Sequence, residues 1–580
     1  MSLALWYHTV RPLRGRQILA QLRTRLLSVA EDPAAFAARG VPAYPGARLR
    51  PGARFLPPAA CAQDRVELLA GRFRFLNRCE DLGFPPRWDA EGPSRLWLYN
   101  LHYFEYLWDL GFEGARAAAC DWIGRHALAR GRAGWEPYPT SLRLVNWCAY
   151  FFGEQRERTE ADAALRDALW GSIFRQAEWL ARHLETHLLG NHLLENGAAL
   201  LFAGRCFAGE AAAGWERCGR RLLATEIPEQ VLDDGGHVER APMYQLRVAW
   251  VLLALRNAGG EALAPLLDAP LERLLRAGSL LRHPDGGIAL FNDSAFGVYP
   301  PPGSLLAAWP EVLHRPPPAP PAAPAPFALP RTGYFGALGG GGDYVVCDAG
   351  PIGPDYQPGH AHGDLLSFEL SLGGRRVVTD SGVHGYQDDE LRAWCRSTRA
   401  HNTVEIDGES QCQFWSVFRV ARRARPHEVR FEPAPDGFRL SAWHDGYRRL
   451  PGRPRHRRQF RWDARGVLLV KDEVESGRPV TARSRLHLHP ACVVEQLAGP
   501  AARIRHPGGV FQVRFAGVGE LAVEASIYCP EFGVRQERPA LRFEASGQKL
   551  VFGFCIANTA QEIGYDLDAG ASVSGERVAW

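Results

Sequence analysis

Residues 359–404 read GHAHGDLLSFELSLGGRRVVTDSGVHGYQDDELRAWCRSTRAHNTV, a segment that gathers His360, His362, Asp364, Asp380, His384 and His401 around two short apolar runs. LLSFELSL and RRVVTD are rich in strand formers. Gly373-Gly374 between them is a hairpin signal, because tight antiparallel turns need positive φ at their central residues. Such a hairpin carries Asp380 back to the end of the sheet where His360 and His362 enter. The hairpin alone does not bring them into contact, since the loop before Leu365 must still curl back. Neutral imidazoles with a carboxylate form a good ligand set for zinc.

Beyond Phe327 the chain is a series of short β-rich runs spaced by glycine turns: YVVCDA, LLSFELSL, RRVVTD, NTVEIDG, VLLVKDEV, SRLHLH, LAVEASIY and KLVFGF. This predicts an antiparallel sandwich. The arginine-rich piece RRLPGRPRHRRQFRW (448–462) reads as two solvent-facing strand edges around a Pro-Gly turn. Before Phe327 comes PPPAPPAAPAP (316–326), a composition that reads as a stiff linker. Earlier still, from about Val66 to Leu313, long segments carry helical periodicity, among them Ala161–Leu189, Glu195–Phe207 and Tyr244–Ala258. Residues 1 to about 70 are a lead-in in which Arg16–Val29 forms one amphipathic helix. The organisation is thus 1–70 lead-in, 71–314 helical domain, 315–330 linker and 331–580 β domain.

At 580 residues the chain is long enough for more than one full core. A formal charge of +4 is small for that length and does not suggest a nucleic-acid binder. Lysine occurs only at Lys471 and Lys549, so the basic side chains are almost all arginine. A GC-rich genome explains this, and it also suits an acidic ligand, since arginine grips carboxylates bidentately. The twelve cysteines contain no CxxC pair and read as buried thiols. No signal peptide and no apolar span of membrane length is recognised. A cytoplasmic protein is expected, with the periplasm as the alternative.

Three clusters stand out in the helical half. WLYNLHYFEYLWDL (97–110) holds six aromatics with Asn100 and His102. Trp97, Tyr99 and His102, with Arg143 of the Trp-rich WEPYPTSLRLVNW (135–147), would line a carbohydrate groove or else fill a core. GNHLLENGAALLFAG (190–204) opens with Asn191, His192, Glu195 and Asn196. At helical spacing they share a face, and Asn191 could equally be an N-cap. In DDGGHVERAPMYQLRVAW (233–250), Pro242 suits a helix start and puts Tyr244 in the first turn, beside Glu239 and Arg240.

Taken together, NLHYFEYL (100–107), NHLLEN (191–196), DGGHVERAPMY (234–244), GHAHGDLLSFEL (359–370), DSG (380–382) and RSTRAHNTV (396–404) resemble the heparinase II/III-like group of bacterial polysaccharide lyases, which includes related alginate lyases. The resemblance spans residues 97 to 404 in the family's order. It implies an incomplete α/α toroid followed by an antiparallel β-sandwich. It also implies eliminative cleavage of a 4-linked uronic acid polysaccharide, such as a glycosaminoglycan, alginate or an exopolysaccharide. Asn191 and His192 map to the groups that neutralise the substrate carboxylate. Tyr244 maps to the acid or base, and His360 completes the pair. Tyr386 is a second acid/base candidate, and Glu195, Asn196, Glu239 and Arg240 are binding candidates. The family's zinc, where present, maps to His362, Asp380 and His401 in a structural role.

The expected partner is an acidic polysaccharide, with no nucleic acid and no membrane span; oligomeric state is not legible. Two other readings remain open. One is a non-catalytic glycan-binding protein of an exopolysaccharide assembly system. The other is a toroid glycoside hydrolase drawing two carboxylates from Glu195, Asp233, Asp234 and Glu239.

Overall fold

The computed structural model describes residues 3–55, 62–319 and 321–580. Residues 1–2 and 56–61 of the lead-in, and Pro320 of the proline run, lie outside them. Helices dominate up to Leu313 and strands dominate from Ala325 to Val578. The architecture is an incomplete α/α toroid followed by an antiparallel β-sandwich.

The helix Gly190–Cys206 runs through the toroid. Every residue in it except His192 and Arg205 is buried. Its residues are apolar or small on nearly every face, and such a helix belongs inside a fold. It packs against the helices Pro137–Ala149, Glu210–Gln230 and Pro242–Gly259. The last begins at Pro242, whose fixed φ suits the first turn and whose missing N–H has no helical partner to lose. Tyr244 accordingly stands in that first turn.

In the second half, Ala325–Leu329, Tyr334–Leu338, Tyr344–Asp348, Phe368–Leu372 and Arg375–Val378 form a five-stranded antiparallel sheet in chain order. It faces a ten-stranded sheet built around Val467–His487 and Gln536–Ala557. Between them Phe335, Val345, Phe368 and Leu370 meet Phe460, Trp462, Leu468 and Phe554. The other face of the small sheet packs on the toroid, Phe327, Tyr334 and Tyr344 meeting Ala277, Leu281 and Phe291. With both faces covered, YVVCD and FELSL are buried at every position. The hairpin turns at Gly373 and Gly374, with φ of 57° and 78°, values open to glycine at no steric cost. Polar contacts cross the seam too. His283 of the toroid bonds Glu369 at 2.9 Å and Ser371 at 2.8 Å, and Arg376 pairs with Asp285 at 2.7 Å.

Three expectations need correction. The linker does not run to residue 330: Ala325–Leu329 is already an edge strand, where Pro326 is tolerated because one side of the backbone needs no partner. VLLVKDEV and the first four residues of SRLHLH are not separate strands but parts of Val467–His487, interrupted only by an irregularity between Glu475 and Val480. The arginine-rich piece is not two solvent-facing edges. Arg455–Asp463 lies between two neighbours in the large sheet, and Arg458 is fully buried against Asp472 at 2.7 and 2.9 Å. A bidentate partner makes that buried guanidinium tolerable. The eleven described cysteines are free thiols, most of them buried. Among the described residues no helix is long and apolar enough to cross a membrane.

Candidate functional site

The site lies where the sandwich loop 359–364 meets the toroid. Gly190 opens the central helix with φ of 57°, and a Cβ there would lie 2.5 Å from Glu239 Oε1. The missing side chain lets the Glu239 carboxylate sit on the helix N-terminus, where it accepts the Asn191 N–H at 2.8 Å. The Asn191 amide donates to both Glu239 oxygens at 3.0 Å, leaving its Oδ1 buried without a partner. Asn191 is therefore not an N-cap: Leu189 occupies that position, without a side-chain bond.

Glu239 reaches across the seam to His360, whose Nε2 is 3.4 Å from its carboxylate. His360 Nδ1 is 2.9 Å from Asp293, which also meets His362 Nε2 at 2.8 Å. Arg392 closes on the same carboxylate with two hydrogen bonds. Burial alone would raise the Asp293 pKa, but Arg392 and the bonds from both histidines hold it well below the ordinary carboxylate range. For Glu239, burial is likewise outweighed by His360, His237 and Asn191, and its pKa is lowered.

The Tyr244 ring stacks on His360 with centroids 4.0 Å apart, and its hydroxyl bonds that of Tyr386 at 2.9 Å. Burial, with Tyr386 and Tyr299 nearby, pushes the Tyr244 pKa well above 10, so the phenol keeps its proton at neutral pH. His192 is 28 % exposed at its side chain and packs against the Tyr138 ring at a tilt, with centroids 4.5 Å apart. Its Nδ1 is 2.9 Å from Glu185, which Asn196 holds in turn. Burial works against a charged His192, but Glu185 outweighs it, with Glu239 and Glu195 adding, and the pKa is raised. Tyr99 packs with Tyr103 and Tyr138 on that wall.

Behind His360, His362, Asp380 and His401 offer ligand atoms that all lie within 4.8 Å of one another, and all three residues are buried. His362 Nδ1 and His401 Nε2 have no hydrogen-bond partner. Each ring is fixed through its other nitrogen by a carboxylate, His362 by Asp293 and His401 by Asp380 at 2.7 Å. Two oriented imidazoles with unused nitrogens beside a carboxylate fit a tetrahedral divalent ion.

Other candidates have structural positions. Trp97 and His102 are core residues, not groove residues. His102 Nε2 is 3.1 Å from Trp88 O, and its Nδ1 accepts from Trp122. Arg143 is fully buried, bonded to Gln176, His102 O and Thr140 and stacked 4.1 Å from the Trp122 ring. Arg240 is a strut, its guanidinium donating to the carbonyls of Val238, Arg331 and Thr332. Glu195 is clamped by Arg247 at 2.6 and 3.2 Å on the wall of a small cavity of about 80 Å³ inside the toroid, lined also by Glu105, Trp250 and Tyr299.

Asp293, Glu185 and Arg392 are the residues sequence reasoning missed. The stretch FNDSAF (291–296) has a turn composition that would have suggested only a loop.

Residues 321–566 match the family described as heparinase II/III-like, C-terminal, and residues 121–297 match the heparinase II/III N-terminus. A heparin-sulfate lyase of Pedobacter heparinus is 28 % identical over 324 residues, covering 50 % of this chain and 47 % of that protein, so the match spans about half of the relative's length. FtsZ-localized protein C of Caulobacter vibrioides is 26 % identical over 440 residues, covering 69 % of this chain and 71 % of that one. The crystal structure of a heparinase III superposes with a TM-score of 0.70 at 16 % identity, covering 85 % of each chain. With both of its domains matched in order and the fold reproduced, the chain belongs to the heparinase II/III-like family.

Proposed function

We propose that this chain is a polysaccharide lyase that cleaves a 4-linked uronic acid polymer by β-elimination. The observation that carries the reading is the stacked Tyr244–His360 pair, braced by Asp293 behind and by Tyr386 at the hydroxyl.

The reaction removes a weakly acidic proton from C5, next to the sugar carboxylate, and expels O4. A fixed positive charge must meet the carboxylate as negative charge builds up. His192 suits that role better than Asn191. It is partly exposed and its charged form is favoured, whereas Asn191 has already committed its amide to Glu239. Asp293 sets the orientation and tautomer of His360, whose Nε2 takes the C5 proton and holds it 3.4 Å from Glu239. The C–H electrons form the C4–C5 double bond, the C4–O4 bond breaks, and O4 takes the proton of Tyr244. A phenol that keeps its proton at neutral pH suits the acid role rather than the base role. Tyr386 bonds the Tyr244 hydroxyl and offers a path for its reprotonation.

His362, Asp380 and His401 would hold a zinc ion, whose chemistry there is to neutralise buried carboxylate charge and brace the loop that carries His360. The acidic polymer is the partner of this reading, in keeping with the name of the heparin-sulfate lyase relative. Tyr244 and His360 are only 7 % and 6 % exposed, so a polymer reaches them when the seam opens.

A second reading, a glycan-handling protein without turnover, is favoured by one observation: the match to FtsZ-localized protein C, a name that states no activity, covers more of the chain than the lyase match. The hydrolase reading is weaker, because Glu195 is tied to Arg247 and Asp234 to the backbone of Arg331 and Thr332.

The test is incubation with heparan sulfate, hyaluronan, chondroitin and alginate, watching the near-ultraviolet absorbance of the unsaturated uronide. A signal from the wild type that Tyr244→Phe loses supports elimination. Acidic glycan bound without any signal favours the second reading, and new reducing ends without absorbance favour the hydrolase.

A further inference from the structure

The N-terminal helices present the wrong face to water. Seven of the sixteen exposed large apolar side chains among the described residues fall between Leu3 and Leu26. In the helix Gly15–Ala30, Ile18, Leu19, Leu22 and Leu26 are 44, 69, 52 and 71 % exposed. At 3.6 residues per turn these four fall within an arc of about 100° on one side. Gln17, on the opposite side, is buried and bonds the carbonyl of Tyr356 at 3.1 Å, while Arg14 pairs with Glu229 at 2.5 Å and stacks on Tyr356. The helix is thus held to the body by its polar side and turns its apolar stripe outward. The preceding helix, Leu3–Val10, buries no residue and exposes Leu3, Trp6 and Tyr7 at a spacing that also shares one face.

The charges that these two helices themselves carry have one sign, while Leu19 and Arg23 also line a cavity whose opposite wall holds Glu136 among Arg130, Arg182 and His187. Residues 1–30 contain arginines at 11, 14, 16, 23 and 25 and no acidic residue. Arg23 and Arg25 are exposed and flank the stripe on its two sides, and Arg11 is exposed between the two helices. Arg422 and Arg423 of the sandwich extend the basic ground, Arg423 donating to His8 O. An outward apolar stripe, arginines at its borders, and a tryptophan and tyrosine beside it are what a helix lying in a lipid headgroup layer needs. A protein partner would be served by the stripe but would not call for this uniform charge.

We propose that residues 3–26 form a surface that docks on an anionic lipid bilayer, with Ile18, Leu19, Leu22 and Leu26 entering the headgroup boundary and Arg11, Arg23 and Arg25 meeting lipid phosphates. The inference is independent of the lyase reading, since none of these residues belongs to the seam.

The test is co-sedimentation of the full chain with vesicles of phosphatidylcholine alone or mixed with phosphatidylglycerol, at low and high salt. The wild type is expected to sediment with the anionic vesicles and to be released by salt. Leu22→Glu with Leu26→Glu should weaken that binding by about tenfold or more, as two apolar side chains no longer leave water. Arg23→Glu with Arg25→Glu should weaken it at low salt only. Val518→Glu, at a 93 % exposed valine of the sandwich, should change nothing. All these positions are on the surface, so unaltered melting temperatures will accompany the losses. A wild type that stays in solution beside anionic vesicles at low salt overturns the proposal, as does equal binding by the Leu22→Glu, Leu26→Glu variant. Light scattering that shows the wild type self-associating through these leucines, without vesicle binding, assigns the stripe to a second copy of the chain instead.

Discussion

Two parts of this molecule bury histidine and arginine among aromatic rings, and among the described residues only one of them gathers unused histidine nitrogens around a carboxylate. In the toroid core, both nitrogens of His102 are engaged, by Trp88 O and the Trp122 indole, and Arg143 is bonded to Gln176, Thr140 and a carbonyl. Its neighbour His126 packs on His102 and Trp122 with neither ring nitrogen hydrogen-bonded, Nδ1 lying 3.5 Å from Asp89. At the seam, His362 Nδ1, His401 Nε2 and Asn191 Oδ1 are buried with no partner, and His360 stands between two carboxylates. Burying a polar group without a partner is costly. The fold does so in both clusters, but only at the seam do unused nitrogens of two histidines lie with a carboxylate oxygen within 4.8 Å of one another, the arrangement a metal ion would satisfy. The contrast separates the two clusters more sharply than composition does.

The contrast can be broken by mutation, and the largest effect is expected at Asp293. Asp293→Ala leaves Arg392 buried without its carboxylate and frees both His360 and His362. Unfolding should become easier by about 3–5 kcal/mol, with activity lost as well. Calorimetry and turnover per folded molecule check both. Tyr244→Phe should lower kcat by about 10²–10⁴-fold. Its stability loss should stay near ~1 kcal/mol, since one hydrogen bond to Tyr386 goes. A mere core tyrosine would show the reverse.

Metal analysis of the wild type should find one zinc per chain, and His401→Ala should abolish it and lower the melting temperature. Persistent zinc would move the metal elsewhere. His102→Leu is the converse test in the toroid. It strands the Trp122 indole and should cost about 1–3 kcal/mol of stability, with kcat per folded molecule unchanged.

The smallest effect concerns pH. The charged His192 is favoured by Glu185, so its pKa is raised and its positive charge is present below the ordinary histidine range and lost as pH climbs through the raised value. kcat/KM should therefore fall on that alkaline side. His192→Gln should flatten this limb and lower kcat/KM by about tenfold, an amount suited to one charged contact.

Much of this was legible in the sequence, for physical reasons that differ by element. Gly373-Gly374 and Pro242 act through local backbone geometry, so the hairpin and the start of the Tyr244 helix could be read directly. The trio His362, Asp380 and His401 was legible through the family motifs that carry it. Trp97, His102 and Arg143 were not, because an aromatic segment has the same composition in a groove as in a core. The arginine-rich strand misled for the related reason that a charge run reads as surface until its partner is known; Asp472 becomes the partner of Arg458 only through strand register. Asp293 was invisible. It lies far from His360 in the chain, and only the packing of the small sheet on the toroid brings them together.

The most direct test of the account is the mass of the new non-reducing end when wild type, Tyr244→Phe and His102→Leu are each incubated with a uronic acid polymer the wild type cleaves. The account predicts an end one water lighter than a hydrolysis product from the wild type and from His102→Leu, and no such end from Tyr244→Phe. Hydrated ends from the wild type, or the same unsaturated end formed as fast by Tyr244→Phe, would contradict it.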